Sequence, residues 1–319
     1  MVAISIQIEG QNGLTWPHWK RLVAEIEDLG FAGLFRSDHF TNARPPDKDS
    51  LEAIVSLTYL ADHSQHLHFG PLVAPISVRN PAMLARQAAA LDDLSGGRMI
   101  LGLGAGWQER EHQHFGFPLG DIPTRMKRFE EGLEVITRLL HSDEPVSYEG
   151  QFFQLHDAIL LPRPLRPGGP SILIGGNGPK RTLPLVARYA NIWNGVFISP
   201  EAFHEHSAIL DQLLRASGRE PNEVRRTAMT GLFFGRDTNE LDRRLSWRHD
   251  RPELTGKPLE AVAETLHASG NAIAGTPDMI MQQIRAYAEA GAEELVLQWL
   301  DLDDIEGLRA FARSVLPHV

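Results

Sequence analysis

Cysteine is absent from the 319-residue chain. This absence excludes disulfides, thiolate metal ligands and thiol nucleophiles. No apolar run reaches the roughly 18 residues that a membrane-spanning helix needs. The opening residues, MVAISIQIEG, carry no basic segment ahead of an apolar one, so they do not have the pattern of a secretory signal. We therefore expect a cytoplasmic protein with no membrane partner.

Positive charge is also in short supply. The chain has 31 Lys and Arg residues against 41 Asp and Glu residues, which gives a formal net charge of −10. An acidic chain has no general affinity for nucleic acids, so we expect no nucleic-acid partner. Any anionic ligand must be held by a local group of donors. The sequence also lacks a Gly-x-Ser-x-Gly elbow, so acyl-enzyme chemistry has no candidate nucleophile.

What is present is a regular alternation of short apolar strands and amphipathic helices. The pattern predicts strands at 3–9, 31–37, 67–75, 98–106, 171–176, 191–197, 224–235 and 293–300. It predicts helices at 16–30, 50–64, 81–97, 124–140, 179–190, 200–218, 276–291 and 303–316. Eight strand–helix units in this order predict an α/β fold, a (β/α)₈ TIM barrel that forms a single domain over 1–319. A doubly wound sheet is the alternative, because alternation alone does not prove closure.

Three insertions interrupt the repeat, near 107–123, 145–170 and 236–270. The second contains a predicted hairpin that turns at Glu149 and Gly150, followed by a proline-rich connection. Insertions at the carboxyl ends of barrel strands commonly form lids and substrate walls. For 236–258 a solvated surface loop is an equal alternative.

The segment FRSDHF (35–40) ends an apolar strand with an acid and an imidazole side by side. Histidine titrates near neutral pH, so the pair Asp38 and His39 is a candidate for proton transfer. The alternative is a polar cap on a loop.

The segment IGGNGPKR (174–181) has the pattern of a phosphate-binding turn. Glycines between a strand and a helix let the backbone approach a ligand, and the start of the helix presents free N–H groups. Lys180 and Arg181 would lie in the first helical turn, where positive charge disfavours the helix unless an anion binds there. A glycine-rich turn with solvated cations is the alternative. The spacing matches neither a Walker loop nor the GxGxxG of a dinucleotide fold.

The segment LGLGAGW (101–107) is a weaker signal of the same kind. Gly104 and Gly106 could admit a flat ring against the backbone with Trp107 as a wall, or they could reflect tight barrel packing. The next residues include His112 and His114, but no third ligand follows at metal-like spacing. We therefore predict a solvated loop there and no metal site.

These segments together resemble the luciferase-like monooxygenase superfamily, in particular its branch of coenzyme F420-dependent oxidoreductases. The resemblance is carried by 37–40, 70–118, 125–140 and 172–194, and the block LARQAAALDDLSGGRMILGLGAGW is highly specific. It implies a (β/α)₈ barrel that binds a flavin or 5-deazaflavin at the carboxyl ends of its strands.

The resemblance also implies the site residues. A non-prolyl cis peptide in the third strand would support the ring, and we expect it at Pro71–Leu72. His39 and Asp38 would be catalytic. The implied cofactor-binding residues are Asp38, Pro71, Leu72, Ala74, Ala105, Gly106, Trp107, Gly176, Asn177, Gly178, Lys180 and Arg181.

One residue departs from the F420-dependent sugar-phosphate dehydrogenases that the chain resembles. Those enzymes carry an acid directly after the GxG, where this chain has Trp107. The nearest carboxylates are Glu109 and Glu111, so the second catalytic group stays unassigned and sugar-phosphate oxidation is not favoured.

The expected function is hydride transfer between coenzyme F420 and a small organic molecule. The alternatives are a monooxygenase that uses reduced FMN and O₂, which would need a flavin reductase as partner, and a flavin-binding protein without catalysis. The resemblance implies a homodimer.

Insertion arginines could hold the acidic tail of the coenzyme: Arg243, Arg244, Arg248 and Arg251. Aromatic candidates for the walls suggest an uncharged, fairly apolar substrate: Trp16, Trp19, Phe40, Trp107, Phe115, Trp193 and Trp299.

Overall fold

The computed structural model describes residues 2–252 and 254–319. Its strands are β1 Ala3–Ile8, β2 Gly33–Arg36, β3 His68–Pro71, β4 Ala74–Pro75, β5 Ile100–Gly104, β6 Val146–Glu149, β7 Gln154–Ala158, β8 Ser171–Gly175, β9 Ile192–Val196, β10 Arg225–Phe234, β11 Ala272–Gly275 and β12 Glu294–Gln298. Its α-helices are α1 Trp16–Leu29, α2 Ala53–His63, α3 Pro81–Leu94, α4 Glu109–Phe115, α5 Ile122–His141, α6 Thr182–Tyr189, α7 Pro200–Ala216, α8 Thr238–Arg244, α9 Leu259–Ala268, α10 Pro277–Glu289 and α11 Ile305–Val315. Short 3₁₀ helices cover Gly10–Asn12, Pro221–Glu223, Ser246–Asp250 and Leu316–His318.

The main sheet is parallel and returns on itself. Its strand order is β3-β2-β1-β12-β10-β9-β8-β5-β4, so the first strand pairs with the last. The circle continues from β3 to β5, where the Phe69 amide donates to the Arg98 carbonyl at 3.2 Å. A doubly wound sheet would leave two open edges. The prediction of a (β/α)₈-type barrel is therefore confirmed, and the barrel is nearly closed.

Alternation along the strands divides the apolar side chains into two layers. On β1, Ile4, Ile6 and Ile8 pack in the large core between sheet and helices, while Ser5 and Gln7 lie on the opposite face. A smaller apolar cluster takes one residue from each of seven strands or strand ends, which places it inside the barrel: Phe35, Leu72, Ile100, Leu173, Ile192, Met229 and Val296. This inner cluster is the floor on which a site at the carboxyl ends of the strands rests.

The third predicted strand is split in two, and its cis bond is displaced by one residue. The cis peptide joins Leu72 and Val73, so the expectation of Pro71–Leu72 is wrong. Gly102 and Gly104 of β5 surround this bulge: a Cβ on Gly102 would collide with the Pro71 carbonyl, and one on Gly104 would lie 2.6 Å from the Val73 side chain. The glycines of β5 therefore let the bulge pack against the neighbouring strand.

Two helix starts differ from the sequence expectation. Helix α2 begins at Ala53, and the Glu52 carboxylate caps it by accepting from the Val55 amide at 2.7 Å. The hydroxyl of Ser50, where the sequence pattern started this helix, donates to the His39 carbonyl at 2.8 Å. Helix α6 begins at Thr182 rather than 179, so its first turn does not contain the two preceding cations.

The interrupting segments contain structure of their own. The expected hairpin is confirmed, since β6 and β7 pair antiparallel with Glu149 opposite Gln154. The described residues of 236–258 do not form a solvated loop, because α8 and a 3₁₀ helix lie within this range and bury Leu241 and Leu245. The short strand β11, which the sequence pattern missed, pairs with the end of β10. Within residues 2–252 and 254–319, none of the helices combines the length and apolar character that a bilayer crossing requires.

Candidate active site

A cavity of about 680 Å³ opens at the carboxyl ends of the barrel strands. Its walls come from the ends of β1, β2, β5, β8, β9, β10 and β12, from the bulge after β3, and from α4. Leu72 and Met229 belong both to its lining and to the inner apolar cluster. The cavity therefore has an apolar floor and walls that mix apolar and polar side chains, and its volume suits a small organic ligand or cofactor.

The structure brings six of the thirteen predicted site residues together in this cavity. Those that line it are His39, Leu72, Ala105, Gly106, Trp107 and Gly176. Those outside the lining are Asp38, Pro71, Ala74, Asn177, Gly178, Lys180 and Arg181. The two groups are neighbours in the chain, so the residues of the second group support or flank those of the first.

Asp38 points away from the cavity and is held by an arginine. Its two carboxylate oxygens accept from the Arg79 guanidinium at 2.8 and 2.6 Å, and Asp38 is buried. Arg79 also pairs with Glu52 at 2.6 Å. Burial alone would lower the pKa of Arg79, but these two carboxylates outweigh it and raise the pKa above its usual value. This buried pair anchors the chain directly before His39.

His39 faces the cavity and is paired with a carboxylate. Its Nδ1 lies 3.2 Å from both oxygens of Glu111, and only 1% of Glu111 is exposed. The Phe40 amide donates to the same carboxylate at 2.8 Å, and the Gln108 side-chain amide lies 3.4 Å from it. Glu111 is therefore held in place by the backbone and by a neighbouring amide, and it orients the imidazole with its Nε2 free for a ligand.

The pair shifts the acid–base chemistry of both groups. Burial lowers the pKa of His39, but the hydrogen bond and charge of Glu111, helped by the charge of Glu9, raise it above 6.5. Burial raises the pKa of Glu111, and the interactions with His39 and the Phe40 amide outweigh this and lower it below 4.5. The pair thus keeps His39 protonated to a higher pH than an unperturbed histidine, and the imidazolium faces the cavity as a proton donor.

The sequence reasoning left Glu111 unassigned because EREHQHF was taken for a solvated loop. It is helix α4, and His112 is buried, with its Nε2 2.8 Å from the Ser77 hydroxyl. The signal that could have found it is helical spacing: Gln108, Glu111 and His112 fall at i, i+3 and i+4, which is one face of a helix. Glu109, in contrast, is exposed.

The glycine-rich turn after β8 is tied down by Asn177. Its side-chain amide donates to the Val196 carbonyl at 2.6 Å and accepts from the Val196 amide at 2.9 Å. Gly176 has φ +132°, a backbone conformation that L side chains rarely adopt, and its carbonyl accepts from the buried Trp193 indole at 2.9 Å. Lys180 and Arg181 are exposed just before α6. The turn is thus rigid, with two cations at its outer edge.

Two amide oxygens at the cavity have no hydrogen-bond donor among residues 2–252 and 254–319. Asn194 is fully buried and donates to the Thr227 hydroxyl at 2.8 Å, while that hydroxyl donates to the Trp193 carbonyl. This orders the Asn194 amide and leaves its Oδ1 unpaired. The Oε1 of Gln7 is unpaired in the same way. Buried acceptors of this kind are normally satisfied by a ligand or by water.

Aromatic side chains divide between core and cavity. Trp19, Trp193 and Trp299, which were expected as wall candidates, are buried in the core. Trp107 is 61% exposed at the cavity rim and meets the His39 ring edge-on, with 5.5 Å between ring centroids. Phe197, which the sequence reasoning did not single out, also lines the cavity and has φ +46°. A left-handed backbone at a bulky residue is strained, and such strain clusters at functional sites.

The insertion arginines lie away from the cavity. Arg244 pairs with Glu240 at 2.9 Å and with Asp304, and Arg248 donates to Asp242. The described residues that line the cavity include none from the insertion. Arg244 and Arg248 therefore pair with nearby acidic side chains and do not reach the candidate site. Arg243 lines a separate charged cleft, and Arg251 stacks near the Trp247 ring at 5.8 Å.

Comparison with known proteins gives the class. The family model described as luciferase-like monooxygenase matches residues 2–294. The chain therefore belongs to the luciferase-like monooxygenase family, as its sequence resemblance predicted.

Two similar proteins show which activities occur among the relatives of this chain. The chain is 28% identical over 317 residues to an F420-dependent glucose-6-phosphate dehydrogenase of Kineococcus radiotolerans, which covers 92% of this chain and 90% of that one. It is 33% identical over 221 residues to a phthiodiolone/phenolphthiodiolone dimycocerosates ketoreductase of Mycobacterium tuberculosis, which covers 68% of this chain and 56% of that one.

Solved structures share the fold. An F420-dependent secondary alcohol dehydrogenase in complex with an F420–acetone adduct has TM-score 0.82 and 19% identity, over 99% of this chain and 98% of that one. The monooxygenase RslO1 of Streptomyces bottropensis has TM-score 0.83 and 20% identity, over 99% of both chains. At 19–20% identity, these two matches show a shared fold.

Proposed function

We propose that this chain is an oxidoreductase that transfers a hydride between the 5-deazaflavin coenzyme F420 and a small organic substrate. The observation that carries the proposal is the pair of His39 and Glu111 at the wall of a cavity with an apolar floor. The match to an F420-dependent dehydrogenase over nine-tenths of the chain supports the choice of coenzyme.

The residues present fit such a coenzyme. The unpaired Oδ1 of Asn194 would accept from an N–H or hydroxyl donor, both of which a deazaflavin with its ribityl chain carries. The bulge at Leu72 and Val73 and the backbone of Gly106 would support the ring. The turn at Gly176 would take the phosphate, with Lys180 and Arg181 at its edge.

When bound, the deazaflavin supplies the two-electron carrier that accepts or donates the hydride. The protein supplies the proton. His39 uses Nδ1 to hold Glu111, so Nε2 is the atom that gives a proton to a carbonyl oxygen or takes one from a hydroxyl. Because the pKa of His39 is raised, the imidazolium persists to higher pH than that of an unperturbed histidine and can serve as the acid. Asp38 would act indirectly: its pair with Arg79 fixes the backbone next to His39.

A monooxygenase that uses reduced FMN and O₂ is the second candidate. The family match and the shared fold of RslO1 favour it, because the same ring and phosphate positions would serve. A flavin reductase would then be the required partner. A flavin-binding protein without catalysis is less well supported, since such a protein has no use for a buried carboxylate that orients a cavity-facing imidazole.

An anaerobic titration of the purified protein with F420 and with FMN, followed by fluorescence, tests the coenzyme. We expect F420 to bind more tightly than FMN, and the double variant of Lys180→Ala and Arg181→Ala to weaken F420 binding most at low salt. A preference for FMN would favour the monooxygenase, and binding of neither would overturn the proposal.

The cytoplasmic location and the homodimer remain predictions. Sedimentation of the same sample would test the homodimer.

A further inference from the structure

We propose that Glu9 is a substrate-recognition carboxylate: it selects substrates that present a hydroxyl or an ammonium group and rejects carboxylates and phosphates. The proposal rests on the function proposed above and names the substrate class of the same site.

The Glu9 carboxylate is held at the cavity wall by three neutral amides. Its Oε1 accepts from Gln298 at 2.6 Å and from Gln7 at 3.1 Å, and its Oε2 accepts from Gln11 at 2.7 Å. All four side chains line the cavity, and Glu9 is half-buried. Amides orient a carboxylate without neutralising it, so the negative charge remains for a ligand.

A second acceptor lies beside this carboxylate. Gln7 is 1% exposed, and its amide nitrogen donates to Glu9 and to the Leu72 carbonyl at 3.3 Å. Both partners are acceptors, which fixes the orientation of the Gln7 amide and leaves its Oε1 buried without a donor. The carboxylate and the amide oxygen make the same demand on a ligand, namely hydrogen-bond donors.

The other charges in the cavity lining also disfavour an anionic ligand. Among the described residues of its lining, His39 is the one side chain that can carry a positive charge, and it is paired with Glu111. A phosphate or carboxylate bound near Glu9 would therefore meet a second negative charge without a free cation. The F420-dependent relative from Kineococcus is named for a sugar phosphate. A substrate of that class does not suit this cavity.

The barrel separates the Glu9 cluster from the proposed phosphate turn. Glu9 follows β1 and Gln298 ends the neighbouring strand β12, whereas Gly176 follows β8 on the opposite side of the ring of strands. A coenzyme anchored at Gly176 therefore leaves the Glu9 side of the mouth for a second ligand. Glu9 and His39 line the same cavity, so a substrate group held by Glu9 shares that cavity with the proton donor.

Three probes that share a cyclohexane ring test the proposal: cyclohexylamine, cyclohexanol and cyclohexanecarboxylate. Their binding to the full-length protein without coenzyme would be measured by ligand-observed NMR at about pH 7, where the amine is protonated. We expect the amine to bind most tightly, the alcohol next and the carboxylate least. Glu9→Gln should weaken amine binding roughly tenfold, the scale of one charge-assisted hydrogen bond. Glu9→Asp, which keeps the charge, should recover part of the preference.

Glu109→Gln is the matched control, because it removes the same charge from an exposed position outside the cavity lining. It should leave all three affinities unchanged. Equal or tighter binding of the carboxylate to the unaltered protein, no binding of the amine, or the same amine affinity in the Glu9→Gln variant would each overturn the assignment. A parallel F420 titration separates the two proposals: its failure would overturn the coenzyme assignment, while the probe series would still judge Glu9.

Discussion

Glu111→Gln gives the sharpest test of the His39–Glu111 pair, since it removes one charge at nearly constant shape. A glutamine Oε1 can still accept from the Phe40 amide, so the loop after β2 keeps its anchor. What is lost is the charge-assisted hydrogen bond to His39, worth about 1.5–3 kcal/mol. With the carboxylate gone, burial is the dominant influence on the imidazole, so the pKa of His39 should fall.

The same pair predicts how stability depends on pH. The raised pKa of His39 contributes stability below 6.5 that is lost as pH rises through the folded-state value. The lowered pKa of Glu111 contributes stability above 4.5 that is lost as pH falls through the folded-state value. Both contributions are present between these ordinary pKa values. The variant should therefore lose its 1.5–3 kcal/mol at about pH 5.5 and progressively less in alkaline buffer.

The assay is an NMR titration of the His39 ring in the protein without coenzyme, combined with urea unfolding at several pH values. Neither measurement needs a known substrate. Glu109→Gln, exposed in the same helix, controls for a general change in charge. If the His39 pKa stays unchanged or rises in the Glu111→Gln variant, or if the stability loss grows with pH, the pairing argument is refuted.

Two further substitutions test other parts of the site. Asp38→Asn should lower the unfolding free energy by about 3 kcal/mol, because it removes a buried carboxylate and leaves the partly buried Arg79 with Glu52 as its partner; unchanged stability in urea unfolding with lost turnover would instead place Asp38 in the chemistry. Gly104→Ala should cost about 1–3 kcal/mol and weaken coenzyme binding, because its Cβ would lie 2.6 Å from the Val73 side chain at the bulge; an unchanged melting temperature and F420 titration would contradict this.

Sequence reasoning recovered the barrel because each strand–helix unit leaves a local pattern. It missed β11 because Ala272–Gly275 is four residues long and has no alternation. It misplaced the cis bond by one residue, since the local sequence does not distinguish the bonds on either side of Leu72. It left residues 236–258 open between a substrate wall and a solvated loop, because charged residues dominate the composition and the ion pairs they form with one another leave no local pattern.

The candidate site was predictable wherever a single segment carries it. His39 and the glycine turn at Gly176 could be found this way, and both line the cavity. Helical spacing places Glu111 on one face of α4, but the distant partners of Glu111, Glu9 and Asn194 could not be predicted, because the barrel brings them from remote parts of the sequence. His39 and Glu111, for instance, are 72 residues apart in sequence. Tertiary contacts of this kind leave no local pattern, and only closure of the barrel reveals them.

The pairing of the first strand with the last also bears on how the protein becomes functional. The Glu9 carboxylate depends on Gln298, which lies 289 residues away. A chain that emerges from the ribosome can form the inner turns and most helices before this contact exists, because contacts between distant residues form late. Substrate recognition would therefore be among the last properties to appear, and a truncated or half-folded chain could carry the phosphate turn while lacking selectivity. Because Gln298 helps to hold Glu9, substrate specificity would indicate that folding is complete.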